Sequence, residues 1–421
     1  MHLIFATLTY WRALIYYWRG GSFANASFLR APEELQARVQ LCYLAKCMQL
    51  WNEKHYRCPS FAHDLRANLV NVAVPGSGLA LSFFCYFKFT GYLLILFINP
   101  FFCFLGAVNV ARVAEPSSEG FWKTLNKAYR QHLLYPDDWF SYWRLNCGLA
   151  SWYWLVTRET GYDLENKWTF IQQCMKKKVP CSPCLEVPGL CIKHKNEEGG
   201  LGIHFFRNAM SGGDWLIQET MSNADSVARF LPRDAPLSTF RVMTGSRLGM
   251  HNNSKSDKES DIKGDDVFAF SCVFRAGRAG GATDHDSVLF DVDVPKKKMG
   301  VGTSNMHWYQ LGAGKIATTP WLNNTRFTCH PDGNIPVTGE PIPDIDDMVK
   351  VCVDAHRALF PGVPVAGWDL CVTKSEPRMC LLEVNLMCNF FKGSFDKKKY
   401  FTFIEDYFEF LEKTEEKTKS D

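Results

Sequence analysis

The longest apolar run in the chain is Phe89–Ala111, 23 residues without a charged side chain between Lys88 and Arg112. As a helix this run would rise about 34 Å, enough to cross a hydrocarbon layer of about 30 Å. Asn99 and Pro100 stand in its middle, and proline removes a backbone hydrogen bond, so a re-entrant hairpin competes with a span. A buried core helix is a third interpretation. We predict membrane attachment here, with basic residues on both sides leaving orientation open.

The pattern on either side of this run divides the chain into five parts. Residues 1–75 are rich in apolar and aromatic positions and predict a helical N-terminal region, which leads into the membrane-associated segment 76–114. Residues 115–190 predict a second helical region. Short β-rich runs punctuated by glycine and proline then indicate an α+β domain over 191–412, and 413–421 is a charged tail.

Composition excludes some classes of protein. Hydrophobic residues make up 47% of the chain and charged residues 22%, which is typical of a folded protein rather than a disordered one. The formal net charge is only +3, and the basic residues form nothing larger than short lysine runs. Such runs are usually solvated surface, so we expect no nucleic-acid partner.

The sixteen cysteines are scattered, and many stand in apolar surroundings, as reduced core cysteines do. This favours a reducing compartment over a secreted disulfide scaffold. One cluster could bind a metal: Cys181 and Cys184 form C-x-x-C, with Cys174 and Cys191 nearby. A structural zinc site usually needs two such pairs, so the sequence disfavours zinc.

A β-hairpin is predicted near the end of the α+β domain. Two β-like runs, 367–373 and 379–385, are separated by five turn-forming residues. The simplest register pairs Thr373 with Met379 across the turn. This register decides which side chains of the two strands meet.

In that register Asp369 lies directly opposite Glu383, with Cβ atoms about 5 Å apart. Asn385 falls on the same face, because it lies two residues beyond Glu383. Two carboxylates and an amide are ligands that Mg²⁺ prefers, so we predict a metal site. In the alternative, Asp369 faces solvent and Glu383 forms a salt bridge. A register slip of one residue would turn Asp369 to the other face.

The sequences G-W-D at Gly367–Asp369 and L-L-E-V-N at Leu381–Asn385 resemble the C-terminal metal-binding strands of the ATP-grasp superfamily. The resemblance implies that Glu383 bridges two Mg²⁺ ions on the phosphates of ATP. It implies that Asp369 and Asn385 each complete the coordination of one ion.

Upstream segments follow in the order of that superfamily. Lys167 is similar to its phosphate-contacting lysine, and Lys193 with Gly200 and Gly202 resembles its strand and glycine-rich flap over ATP, although His194 replaces a proline. Physical chemistry supports such a role, since a lysine ending an apolar strand offers a point charge to phosphate. Successive glycines also let backbone N–H groups approach a phosphate.

Two further strands carry the resemblance. The strand ending in Gln218 and Glu219 resembles the hinge between the lobes, which implies contacts with adenine and ribose. The sequence T-F-R-V-M-T around Arg241 is similar to a strand of the sugar-transfer-associated branch. It implies that Arg241 stabilises phosphate or an acidic substrate, with Arg275 as a weaker candidate for a related catalytic role.

The resemblance implies an ATP-grasp fold, two α+β lobes clasping ATP, over 191–412. The expected function is a ligase that uses ATP and Mg²⁺ to activate an unidentified carboxylate as an acylphosphate for capture by an amine or similar nucleophile. A link to polysaccharide or glycan modification is implied by the branch. The alternatives are a phosphotransferase and an inactive nucleotide-binding membrane scaffold. The domain is expected to face the cytoplasm or another reducing compartment that contains ATP.

Overall fold

The structure of the chain is a computed structural model. It describes residues 2–29, 31–70, 72, 80–113, 120–197, 199, 201–251, 266–303, 326–342, 344–388 and 393–420. Helices fill most of the first 180 residues, and an antiparallel sheet with flanking helices follows. The predicted α+β class with a helical N-terminal region is therefore confirmed.

The N-terminal region is built from helices joined by short connections. Their bounds are α1 (His2–Trp18), α2 (Leu35–Leu50), α3 (Phe61–Asn68), α4 (Lys88–Leu93), α5 (Asn99–Val113), α6 (Gly120–Leu134), α7 (Trp139–Thr157) and α8 (Lys167–Lys177). Asp138 caps α7, because its carboxylate accepts a hydrogen bond from the Ser141 amide at 2.9 Å. Pro136 cannot continue α6, and these two residues divide the second predicted helical region at this point.

Helices α4 and α5 form one continuous rod, Lys88–Val113, joined by a π-helical turn at Leu94–Ile98. The chain does not reverse at Pro100, so the hairpin considered from the sequence is wrong. It is long and apolar enough to cross a membrane, and no other helix among the described residues meets both criteria. Only 28% of its most apolar window is buried, which distinguishes it from an ordinary core helix.

Side chains of α1 donate hydrogen bonds to the helix where Pro100 interrupts its backbone hydrogen bonds. The Asn99 amide bonds to the carbonyl of Leu94, and Pro100 has no N–H, so carbonyls in this turn lack helical donors. Tyr10 Oη donates to the Ile95 carbonyl at 2.8 Å, and Trp11 Nε1 donates to the Leu96 carbonyl at 3.0 Å. Helix α1 and the rod Lys88–Val113 are therefore one packed unit.

A six-stranded antiparallel sheet forms the larger part of the α+β region, in the order β10-β9-β3-β4-β5-β6. The strands in chain order are β1 (Gly189–Lys193), β2 (Ile203–Arg207), β3 (Thr239–Ser246), β4 (Val267–Ala276), β5 (Val288–Asp293), β6 (Lys298–Thr303), β7 (Cys329–His330), β8 (Ile335–Pro336), β9 (Val365–Val372) and β10 (Met379–Asn385). The remaining helices are α9 (Asp225–Ala228), α10 (Leu248–His251), α11 (Ile345–Leu359) and α12 (Lys397–Ser420). Strands β1 and β2 form a separate, largely exposed hairpin.

Helix α11 covers one face of the large sheet. Its buried side chains recur at helical spacing: Met348, Cys352, Ala355 and Leu359. Trp368 on β9 stacks against Phe360, just after α11, with ring centroids 5.3 Å apart. Because successive strand residues point to opposite faces, Asp369 lies on the face away from α11. This second face bears the polar side chains of the candidate site.

The N-terminal helices and the C-terminal helix share one core. Arg38 on α2 forms an ion pair with Glu405 on α12, and Lys46 Nζ lies 3.0 Å from a carboxylate oxygen of Glu415. The amide of Phe23 donates to Glu412 at 2.8 Å. Residues 413–420, predicted as a charged tail, continue α12, so this part of the chain is anchored against α2.

Candidate functional site

The predicted pairing of Asp369 with Glu383 is confirmed, but the turn does not produce it. Met379 pairs with Val372 rather than with Thr373, one residue away from the predicted register. A β-bulge just before Glu383 then shifts the register by one residue and restores the pairing with Asp369. The bulge therefore places both carboxylates on one face of the sheet.

Asp369 is buried and held by two arginines. Arg241 Nε and Nη2 donate to its two carboxylate oxygens at 2.5 and 2.9 Å, and Arg275 Nη1 donates to Oδ2 at 3.1 Å. Asp369 is 4% exposed and Arg241 6%. Burial raises the pKa of Asp369, but the charges of Arg241 and Arg275 outweigh burial, and the pKa lies below its ordinary value. The carboxylate is therefore ionised, and a hydrogen-bond interaction with Glu383 also favours this charged form.

Asp284 holds Arg275 from the other side. Arg275 Nη2 lies 3.0 Å from Asp284 Oδ1, and the hydroxyl of Thr239 donates to Asp284 Oδ2 at 2.5 Å. Burial raises the pKa of Asp284, although Arg275 and Thr239 oppose the shift. Sequence reasoning missed Asp284, because it lies in a loop before β5 with no periodic pattern to indicate its partner.

Lys167 and Glu383 meet at the mouth of the site. Lys167 Nζ lies 2.9 Å from Glu383 Oε2, and Asn385 Nδ2 donates to Glu383 Oε1 at 3.5 Å. Lys167 opens helix α8, and Asn166 caps this helix by accepting from two amides of the first turn at 3.0 and 3.1 Å. This cap fixes the start of the helix that carries Lys167.

These side chains line a cleft of about 880 Å³ between the sheet and the segment 216–237. This volume suits a nucleotide-sized ligand, since small-molecule pockets measure about 300–1,000 Å³. Six predicted site residues line the cleft: Lys167, Gln218, Glu219, Arg275, Asp369 and Glu383. Gln218 Nε2 donates to Ser182 Oγ at 2.9 Å, and Glu219 is exposed. The strand predicted to end at these two residues is not formed, since Gln218 makes only an isolated β-bridge with Cys184. Arg241 lies behind Asp369, and Asn385 adjoins Glu383.

Two of the predicted flap residues, Lys193 and Gly202, do not join this group. Lys193 lies at the exposed end of β1, outside the cleft lining. Gly202 has a φ of +62°, and a Cβ there would lie 2.4 Å from a carboxylate oxygen of Glu197. Glycine is thus required at this turn for local reasons. Gly200 lies outside the described residues.

Six charged side chains of the site pair with one another, three of each sign. The cations are Lys167, Arg241 and Arg275, and the carboxylates are Asp284, Asp369 and Glu383. Asp284 and Asp369 form ion pairs with the arginines, whereas Glu383 is partly exposed and its ion pair is with a flexible lysine. Glu383 with Asn385 is therefore the pair best placed to hold a divalent cation, and Lys167 the cation best placed to leave for a phosphate.

Glu165 connects this site to the N-terminal region. One of its carboxylate oxygens accepts from the Leu386 amide at 2.9 Å, just past the end of β10. The other accepts from Tyr56 Oη and from Arg57 Nη1, both at 2.8 Å. Glu165 stands two residues before Lys167, yet the sequence indicated no role for it, because its partners are distant in the chain.

A second group of side chains of the kinds that bind metals lies next to Arg57. Side-chain atoms of His55, Cys58 and Asp64 lie within 4.8 Å of one another. Arg57 Nε donates to the Asp64 carboxylate at 2.7 Å, so a guanidinium already supplies the positive charge there. We assign no metal to this group, and the Cys181–Cys184 motif is not part of it.

Comparison of the chain with protein-family models, curated proteins and solved structures finds no significant match. A functional assignment therefore depends on the motifs and on the geometry of the cleft.

Proposed function

We propose that the cleft binds Mg-ATP and that the chain is an ATP-dependent carboxylate ligase of ATP-grasp type. The observation that carries the proposal is the meeting of Lys167, Glu383 and Asn385 at the cleft mouth. The first comes from a helix start and the other two from a strand more than 200 positions later. A phosphate-binding cation beside oxygen ligands for a divalent cation is the chemistry that a metal–nucleotide complex needs.

In this proposal Glu383 and Asn385 would hold Mg²⁺ beside the buried carboxylate of Asp369. The ion, when bound, neutralises charge on the phosphates. Lys167 leaves Glu383 and donates to phosphate instead. The exchange is favourable because the ion replaces lysine as the counter-charge of the carboxylate.

The reaction proceeds in two displacements. An oxygen of the substrate carboxylate attacks the γ-phosphorus of ATP, the bond to ADP breaks, and an acylphosphate forms. An amine or similar nucleophile then attacks the acyl carbon and loses a proton to solvent. The C–O bond of the acylphosphate breaks, and inorganic phosphate leaves carrying the original carboxylate oxygen. The chain contributes orientation and charge stabilisation by Lys167 and Arg275, and we assign no general base.

The two arginines take different roles in this proposal. Arg241 is buried behind Asp369 and donates to it with both arms of its guanidinium, so it is a positioning residue. Arg275 lines the cleft while paired with Asp369 and Asp284, and in this proposal its positive charge acts on phosphate or on the substrate carboxylate. This reverses the order of importance predicted from the sequence.

Oxygen-18 in the carboxyl group tests this reaction. The full chain in detergent is incubated with Mg-ATP, pools of labelled carboxylates and unlabelled amines. We expect ADP release and transfer of the label into inorganic phosphate, detected by mass spectrometry. ADP release with the γ-phosphoryl retained on a stable product would instead establish a phosphotransferase. Nucleotide binding without ADP release would establish a scaffold, and absence of nucleotide binding would remove the whole proposal.

The variant Lys167→Met should weaken Mg-ATP binding about ten- to a hundredfold, because a hydrogen bond to a charged group is worth about 1.5–3 kcal/mol. Titration calorimetry measures the affinity. Stability should change little, since the Lys167 side chain is 63% exposed. Lys350→Met, on the exposed side of α11, is the matched control. Equal affinities in the two variants would exclude Lys167 from the phosphate site.

We also propose that the chain is held at a membrane through Phe89–Ala111, with the cleft facing the cytoplasm or another reducing compartment. The helix Lys88–Val113 supports attachment by its length and apolar character. All sixteen cysteines are free thiols, which supports a reducing environment.

A further inference from the structure

An uncharged stripe runs along the exposed side of the rod Lys88–Val113. Its side chains recur every three or four residues: Phe89, Leu93, Phe97, Phe101 and Phe104. They are between 37% and 74% exposed. A helix facing water carries polar residues at this spacing, so a row of phenylalanine and leucine indicates an apolar environment.

Helix α1 extends the stripe, and α6, which packs against α1 and α5, adds exposed apolar side chains at its start. The ring of Trp11 contacts that of Phe97 at 6.5 Å between centroids, which joins α1 to the rod. Large apolar side chains are exposed on α1 and at the start of α6: Ile4, Phe5, Leu8, Ile15, Phe121 and Trp122. We name this set, together with the stripe on the rod, the apolar face. Its area comes from three packed helices rather than from one.

The packing of the chain decides how this face meets a membrane. A single crossing by Lys88–Val113 would leave everything before it and everything after it on opposite sides. However, α2 precedes the rod and packs against α7 and α12, which follow it. Ion pairs join the two parts, including Arg38 with Glu405 and Lys46 with Glu415. These contacts cannot form through a bilayer.

Helix α6, the neighbour of the rod, carries charges that are unsuited to the hydrocarbon core of a bilayer. Helix α6 packs along α5, and its exposed side carries Lys123, Lys127 and Arg130. A perpendicular rod would bring these charges into the bilayer, where each is strongly unfavourable. In a rod parallel to the surface, they can reach the headgroups instead.

We infer that the rod lies in the plane of the membrane and that the apolar face enters one leaflet, so that no segment of the helical region crosses. The occupant of the face is the lipid surface. Lys88 and Arg112 at the two ends of the uncharged run suit headgroup phosphates. This inference rests on the proposed membrane attachment, and it does not depend on the ligase activity.

Vesicle flotation tests whether a lipid surface covers the apolar face. The full chain is exchanged from detergent into vesicles of equal parts phosphatidylcholine and phosphatidylserine. The double variant Phe97→Glu, Phe101→Glu should lose at least tenfold in the vesicle-bound to free ratio, whereas Met175→Glu, at an exposed site on α8, should bind as the parent does. Equal flotation of the parent and the double variant would overturn the inference. A detergent-free dimer that ignores vesicles would also overturn it, since a second copy would then cover the face.

Protease protection tests the orientation. Epitope tags at the two ends of the chain should be cleaved together or protected together in sealed membrane vesicles. Cleavage of one tag with protection of the other would establish a crossing and overturn the in-plane arrangement. Melting temperature and Mg-ATP affinity of each variant separate loss of attachment from loss of folding or of the proposed nucleotide site.

Discussion

Replacing Asp369 with asparagine should lower the free energy of unfolding by about 3–5 kcal/mol, the cost of leaving a buried charge without its partner. Arg241 is 6% exposed and donates two hydrogen bonds to Asp369, and Arg275 donates a third. The amide of asparagine would direct N–H groups at these donors. Urea unfolding followed by circular dichroism measures the effect.

The control is Asp354→Asn on α11, whose carboxylate pairs with Lys350 and Arg357 at the surface. Exposed pairs of this kind contribute about 0.2–1 kcal/mol, so the control should unfold close to the parent. Similar losses in the two variants would mean that the buried arginines find other partners, and the proposed pairing of charges would be wrong.

The same carboxylate gives a pH dependence with a defined sign. The pKa of Asp369 in the folded chain lies below its ordinary value, so its contribution to stability is complete above the ordinary aspartate pKa. The contribution is lost as pH falls through the lower, folded value. The difference in stability between the parent and Asp369→Asn should therefore shrink in acid. A difference that stays constant down to the lowest pH at which both fold would contradict this.

Glu383→Gln should reduce ATP turnover by about a hundredfold or more, the loss found when one preorganised electrostatic contact with a reacting group is removed. Glutamine keeps the shape but not the charge, so the cation would lose its accessible carboxylate and Lys167 its partner. ADP release measures turnover, and calorimetry measures Mg-ATP affinity separately. Stability should change little, because the ion pair is partly exposed.

Glu376→Gln provides the matched control, since Glu376 is exposed in the turn of the same hairpin. It should leave turnover unchanged. Unchanged turnover and affinity in Glu383→Gln as well would exclude this residue as a metal ligand, and the ligase proposal would lose its main support.

Local pattern predicted much of the fold and part of the site. The β-hairpin of β9 and β10 follows from alternation and turn residues, and the α+β class follows from the same signals. The pairing of Asp369 with Glu383 was predicted for the wrong reason. A bulge leaves no mark in the spacing of apolar residues, so the compensating shift before Glu383 could be seen only in the structure.

Contacts outside the regular sequence patterns account for the site residues that were not predicted. Asp284 pairs with Arg275 from an irregular loop, and Glu165 holds the end of β10 from a position 221 residues earlier in the chain. No periodic pattern indicates such partners. The position of Lys193 outside the cleft is likewise a matter of how the β1–β2 hairpin is oriented, which its own sequence does not specify.

The joining of α2 to α12 also affects how the chain is made. Arg38 and Glu405 are 367 positions apart, so the first helices leave the ribosome long before their final partner exists. At about 5–20 residues per second the delay is roughly tens of seconds. During synthesis the early helices therefore keep uncovered surfaces that can aggregate or adsorb to lipid until α12 has emerged from the ribosome.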